Sequence, residues 1–309
     1  MTAKESFARI GTRGSPLALA QAREVVRLLA RAHDIDPARI EIITIRTTGD
    51  TIQDRPLAEA GGKGLFTKEL DSALVAGEID AAVHSSKDLP TILPDEVAIA
   101  GFLPREDVRD VFVSAKATSI ATLPAGATLG TASLRRQAQA LRLRPDLRIT
   151  LLRGNVETRL RKTESGEVDA TLLALAGLKR LGLAARATNI LAIDDFLPAV
   201  GQGAIALTIR AGDAHMQETL APLCDLPTGA ALIAERAFLR VLDGSCRTPI
   251  AGHAQVEGRS LRFRGTILRA DGSEAFDIDR SGSLDDAEAI GDEAGRALLG
   301  QAPSDILRR

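Results

Sequence analysis

The stretch Ala81-Ala82-Val83-His84-Ser85-Ser86-Lys87-Asp88-Leu89-Pro90 decides how this chain is read. Its first three residues make a short apolar strand, and Pro90 forbids a simple continuation. Between them crowd a proton carrier, two hydroxyls, a cation and a carboxylate. In an open α/β sheet, chemistry collects where strands end. On these residues alone two readings stay open. One is a site; the other is a plain helix N-terminus, with Ser85 or Ser86 as cap and Asp88 against the dipole.

Outward from it, the chain alternates strands and helices. Residues 7–11 read as a strand, followed by Thr12-Arg13-Gly14-Ser15-Pro16 and a periodic helical run from Leu17 to Ala30. Ser15 suits an N-cap and Pro16 a first helical position. Arg13 and Ser15 thereby stand at a strand end beside free helix N–H groups, a place that binds anions. Residues 40–46 make a second strand. A long loop is expected over residues 47–64, with Asp50 and Lys63 toward its ends and glycines that suit either a lid or a solvated loop. A helix with Phe66, Leu70 and Leu74 on one face then leads back to the strand at Ala81.

After a strand at 97–102, Pro104-Arg105-Glu106-Asp107 reads as a crossing point into a second α/β region. There Thr131-Ala132-Ser133 opens a helix carrying Arg135 and Arg136, and Arg153-Gly154-Asn155 precedes a helix bearing Arg159. Two short echoes link the regions in the same order: Ile10-Gly11-Thr12 with Leu129-Gly130-Thr131, and Gly77-Glu78-Ile79-Asp80-Ala81 with Gly166-Glu167-Val168-Asp169-Ala170. They suggest paired lobes with a ligand cleft between them. Gly201-Gln202-Gly203 feeds a strand that returns to the first lobe. Beyond Pro222 the pattern changes to a helix (228–242), a loop holding Cys246, alternating strands and a terminal helix: a small α+β unit.

Composition sets the outer bounds. A chain of 309 residues exceeds one ordinary core, so two or three domains are expected. An apolar share of 45% and a charged share of 26% are those of a globular protein. A net charge of −2 gives no global field to recruit nucleic acid or an anionic membrane, and neither Trp nor Tyr is present to stack on bases. Arg greatly outnumbers Lys. Coding bias accounts for that total, while planar carboxylate recognition accounts for particular arginines. Two cysteines, Cys224 and Cys246, make no disulfide framework. The first residues lack a signal-peptide core, and no apolar run is long enough to span a bilayer. A cytoplasmic monomer with reduced thiols is expected.

Taken together, these motifs resemble the porphobilinogen deaminase (hydroxymethylbilane synthase) family over nearly the whole chain. The resemblance rests on Arg13 with Ser15-Pro16-Leu17-Ala18, Gly61-Gly62-Lys63-Gly64-Leu65-Phe66, and His84-Ser85-Ser86-Lys87-Asp88-Leu89-Pro90. It continues through Gly130-Thr131-Ala132-Ser133-Leu134-Arg135-Arg136, Arg153-Gly154-Asn155-Val156 with Thr158-Arg159-Leu160, Gly201-Gln202-Gly203, Gly244-Ser245-Cys246 and Pro249. Each motif alone is weak; all of them in order are specific.

The resemblance implies two α/β lobes like those of periplasmic binding proteins, with a cleft between them, and a small C-terminal α+β domain. The expected boundaries are 1–103 with 200–221, 104–199, and 222–309. It implies a transferase that deaminates four porphobilinogen molecules and joins them stepwise onto a dipyrromethane cofactor, then releases hydroxymethylbilane by hydrolysis. The cofactor is expected on Cys246 through a thioether, with Ser15, Lys87, Asp88, Thr131, Ser133, Arg135 and Arg136 around it, and no metal. Substrate contacts are expected from Arg13, Ser15, Lys63, Phe66, Ser85, Arg153, Asn155, Arg159 and Gln202. Catalysis falls to Asp88 with Arg13 and Lys87.

The chemistry suits these residue types. Loss of ammonia from porphobilinogen leaves an electron-poor azafulvene, and a fixed carboxylate near the pyrrole N–H stabilises that cation. Acetate and propionate side chains call for guanidinium partners. His84 is expected to position the loop rather than to move protons, and Cys224 to be a buried apolar residue. Thr208 and Ile209 depart from the family pattern, where an acid and often a cysteine are expected; the departure is expected to bear on contacts between lobes. Two rivals remain. A two-lobed binding protein leaves Cys246 without a job, and a Ser/Lys or Cys/His hydrolase lacks the Gly-rich turn around its nucleophile.

Overall fold

The computed structural model describes residues 6–51, 64–242, 249–303 and 305–306. The first lobe begins with β1 (Ala8–Arg13), α1 (Pro16–Ala32), β2 (Ile40–Ile45), α2 (Thr48–Thr51), α3 (Lys68–Val75), β3 (Ala81–Ser85) and β4 (Val97–Phe102). The chain then crosses to β5 (Asp110–Ser114), β6 (Thr128–Gly130), α4 (Leu134–Leu143), β7 (Arg148–Thr150), α5 (Val156–Glu164), β8 (Ala170–Ala174), α6 (Leu175–Arg180) and β9 (Asn189–Ile190). It returns as β10 (Ile205–Arg210) and α7 (Ala214–Leu220). It ends in α8 (Leu226–Val241), β11 (Ile250–Glu257), β12 (Ser260–Leu268), β13 (Ala275–Ser283) and α9 (Ala287–Gln301).

Two five-stranded sheets, ordered β2-β1-β3-β10-β4 and β7-β6-β8-β5-β9, form the two lobes, and β11-β12-β13 form a third sheet. In the first sheet β1 and β3 run parallel, while β10 inserts antiparallel between β3 and β4, facing Ala206 to His84 and Ile205 to Ser85. A strand buried on both faces needs a continuous apolar run, and Ala81, Ala82 and Val83 supply one. Leu29, Val25 and Ile205 fill one face of this sheet, and Leu70, Leu74 and Ile79 the other. Helix α1 starts as its sequence dictates, with Ser15 Oγ accepting from Ala18 N at 3.2 Å and Pro16 in the first turn.

Both crossovers between lobes, 103–109 and 199–204, are clamped by the third sheet's partner helix. Glu235 of α8, fully buried, takes Arg105 Nη1 at 2.6 Å and Nη2 at 3.1 Å. It also accepts from Gly201 N at 2.7 Å and Ala254 N at 2.8 Å. Gly201 has φ +75°, and a Cβ there would lie 2.9 Å from both Lys87 N and Ser86 Oγ. Only glycine lets this crossover lie flat on the end of β3. Removing one member of such a buried pair leaves an uncompensated charge. Glu235→Ala is therefore expected to lose roughly 3–5 kcal/mol of stability in chemical denaturation.

The expected loop at 47–64 is corrected at its start, where Thr48–Thr51 is a short helix. Glu69 of α3 explains it, accepting from Thr48 N at 2.9 Å and from Thr48 Oγ1 at 2.5 Å. The remainder of that stretch, with Lys63, lies outside the described residues, as does Cys246 with its loop. Thr208 is also corrected. It sits inside the first lobe's sheet, bonded to His84, and not between lobes.

Candidate active site

The carboxyl ends of β1 and β3 face the N-termini of α4 and α5 across a cavity of about 540 Å³. Capping chemistry builds the far wall. Asn155 Oδ1 accepts from Thr158 N at 2.8 Å to start α5, and Ser133 Oγ accepts from Arg136 N at 3.4 Å to start α4. These caps aim helix N-termini at the cleft, where they favour anions.

Arg13, the last residue of β1, is the centre of the near wall. Its guanidinium lies over the Phe66 ring, 4.0 Å from the centroid. Its Nε meets Asp50 at 3.1 Å and its Nη2 makes a second, short contact with the same carboxylate. Its Nη1 stands 3.4 Å from Asp88 Oδ2. Burial opposes the charge on Arg13, but the bond to Asp50, aided by Asp88, raises its pKa. Burial likewise opposes ionisation of Asp50, and the Arg13 bond outweighs it, holding the carboxyl below the usual range.

Lys87 follows at the end of β3. It is accessible from the cavity yet walled in by protein, and that enclosure, with Arg136 nearby, lowers its pKa to about 8. Asp88 and Asp110 oppose the fall. Lys87 Nζ also reaches Gln202 Oε1 at 3.4 Å. His84, within β3, is buried and bonds Thr208 Oγ1 at 3.0 Å; burial, then Arg13, lowers its pKa to about 4. It is neutral at pH 7 and locked in the interior, which suits positioning and not proton transfer.

Across the cleft, Arg136 pairs with Asp110 of β5 through Nε at 3.0 Å and Nη2 at 2.7 Å, and Arg135 Nη1 stands 2.7 Å from the same carboxylate. Burial would neutralise Asp110; the two guanidinium groups overcome it and hold its pKa far below the ordinary value. One carboxylate thus faces two cations, leaving excess positive charge beside the cavity. Arg135 Nε is buried with no partner among the described residues. Arg159, tied through Nε to Gly154 O at 2.9 Å, has its pKa lowered to about 10 by burial and by Arg136 and Arg153. Arg136, Arg153 and Arg159 thus crowd positive charge onto this wall of the cavity.

The cavity lining thus brings together Arg13, Ser15, Phe66, Ser85, Lys87, Asp88, Arg136, Arg153, Asn155 and Arg159. Thr131, Ser133 and Arg135 stand one layer behind, and Gln202 is fully buried, reaching the cavity through Lys87. Cys246 and Lys63 lie outside the described residues. Sequence reasoning missed Gln21, whose amide holds Ser85 Oγ at 2.9 Å, along with Arg46 and Glu157 in the lining and Asp110 behind it. Cys224 is half-buried, its thiol against Ala100 O and Leu220 O, with burial raising its pKa. No helix among the described residues is long and apolar enough to cross a membrane.

Two α/β lobes flank a cleft dense in guanidinium groups, with the Asp88 carboxylate in the turn that follows β3. Two family models match this chain. The porphobilinogen deaminase "dipyromethane cofactor binding domain" matches residues 8–218, and the porphobilinogen deaminase C-terminal domain matches residues 230–300. The chain is 61% identical over 296 residues to a porphobilinogen deaminase of Nitrobacter hamburgensis, covering 96% of this chain and 94% of that protein. It is 62% identical to one of Nitrobacter winogradskyi over the same shares. A periplasmic substrate-binding protein of an ABC transporter from Coxiella burnetii is similar over 70% of this chain and 92% of that one, with 17% identity and a TM-score of 0.43. The chain belongs to the porphobilinogen deaminase family, transferases of tetrapyrrole biosynthesis that join porphobilinogen units and carry a dipyrromethane cofactor.

Proposed function

We propose that the cleft between the lobes is where this chain holds porphobilinogen and the dipyrromethane, with Asp88 as the acid–base group. The observation that carries this is the excess of guanidinium groups around one cavity that also contains the Asp88 carboxylate. The residues fit the cofactor. A dipyrrole brings several carboxylates; Ser15, Lys87 and Arg136 offer donors from the cavity wall, and Thr131, Ser133 and Arg135, whose Nε is orphaned, support that wall from behind. When bound, the dipyrromethane supplies a carbon nucleophile. Cys246 is its covalent anchor.

Arg13, Arg153 and Arg159, with Ser15, Lys63, Phe66, Ser85, Asn155 and Gln202 around them, hold and orient the substrate carboxylates. Arg13 also stands beside Asp88, its Nη1 3.4 Å from Oδ2. Asp88 stabilises the positive charge that develops on the substrate pyrrole as ammonia leaves, and takes up a proton from that ring system. Lys87 keeps the cavity positive and contributes a donor at the end of β3. Residues 1–103 with 200–221 form the first domain, 104–199 the second and 222–309 the third; the presence of β10 in the first sheet supports the discontinuous boundary. The protein works as a cytoplasmic monomer.

Arg159 gives a direct test. A charge-assisted bond to a carboxylate contributes about 1.5–3 kcal/mol. Arg159→Gln is thus expected to lower kcat/KM for porphobilinogen by about 10- to 150-fold, carried by KM. Steady-state kinetics with unchanged KM would remove Arg159 from substrate binding.

A further inference from the structure

We propose that Asp50 is a displaceable counter-ion of Arg13, so that a substrate carboxylate enters the site by exchanging with Asp50 on the guanidinium. This rests on the reading of Arg13 as a substrate-carboxylate binder. Asp50 occupies the Nε–Nη2 edge of Arg13 in a two-pronged contact. That edge is the one a planar carboxylate engages best. The third nitrogen, Nη1, is turned to Asp88. The end-on edge, Nη1 with Nη2, is divided between Asp88 and Asp50.

Four observations argue that Asp50 does not serve to hold Arg13 in place. Arg13 is already fixed by its stacking on Phe66 and by its approach to Asp88. The Arg13 and Asp50 side chains are 19% and 26% exposed, so the pair sits at the cavity wall and not in the core. Asp50 also keeps a second partner, accepting from Thr47 Oγ1 at 2.8 Å, and that bond does not depend on Arg13. The short helix bearing Asp50 is pinned separately, by Glu69 on Thr48 and by Gly49 N on Leu65 O at 2.8 Å.

Exchange of one carboxylate for another on the same fork is close to balanced, so a ligand with a carboxylate in reach can compete. A pyrrole without one leaves Asp50 on Arg13. Asp50 thereby acts as a selectivity residue, lowering affinity for every ligand while favouring those that replace it in kind.

The test uses the holoenzyme and a pyrrole carrying acetate and propionate chains with a methyl in place of the aminomethyl group, which has no ammonia to lose. Its Kd is measured by calorimetry at fixed ionic strength for wild type, Asp50→Asn, Arg13→Ala and the double variant, with Asp50→Ser as a second replacement. Asp50→Asn is expected to tighten binding about threefold or more. Arg13→Ala is expected to weaken it about tenfold or more. In the Arg13→Ala background, Asp50→Asn is expected to change nothing. Weaker or unchanged binding in both Asp50 variants, with Arg13→Ala still weak, overturns the exchange and leaves the Arg13 reading standing. Tighter binding that persists without Arg13 assigns the effect to the general field, and also overturns it. Unchanged binding in Arg13→Ala overturns both.

Discussion

Asp88→Asn is expected to lower turnover of porphobilinogen by about 10²–10³-fold or more while leaving the protein folded. The side chain is 30% exposed in the cleft and meets Arg13 only at 3.4 Å, so the fold does not hang on its charge. Asparagine keeps the size and one acceptor oxygen. It loses the full negative charge that stabilises a cation forming on the pyrrole, and it cannot take up a proton at neutral pH. Both losses fall on the transition state, so kcat should drop with little change in KM. Circular dichroism and thermal melting check the fold, and single-turnover kinetics check the step. Near-normal turnover would take Asp88 out of its assigned role.

Cys246→Ser is expected to abolish the covalent adduct and, with it, all measurable activity. The thioether needs a sulfur nucleophile; a serine hydroxyl is far less nucleophilic at neutral pH, since it has no appreciable anionic fraction. Glu235 of α8 binds the backbone of both the 199–204 crossover and β11, so the C-terminal sheet and α8 are fixed to that crossover. Intact mass of the variant should match the bare polypeptide. An adduct of unchanged mass in Cys246→Ser would move the anchor to another residue.

Much of this architecture is legible in the residues themselves. The strand at Ala81–Ser85 declares itself by three small apolar residues before a polar cluster, and α1 by the Ser15-Pro16 signal at its start. Arg13, Lys87 and Asp88 draw notice at strand ends, where donors are left unpaired, whereas Arg159 stands out only through the family resemblance. What escapes is whatever depends on two remote surfaces meeting. Asp110 opens β5 and reads as an ordinary strand residue; only the approach of α4 gives it two arginines. Asp50 reads as part of a loop because nothing local tells that Glu69, nineteen residues on, caps its helix. Gln21 lies on the buried face of α1, where its amide breaks the apolar pattern without indicating Ser85 as its partner. Thr208 misleads for the same reason: its neighbour in space, His84, comes from a strand 124 residues earlier.

The intact mass of the purified protein, before and after porphobilinogen is added, tests the central claim most directly. The account predicts a mass above that of the polypeptide by one dipyrrole, rising in increments of one deaminated pyrrole unit as substrate is supplied. A mass equal to the bare chain in active protein, or an adduct that does not grow, would contradict it.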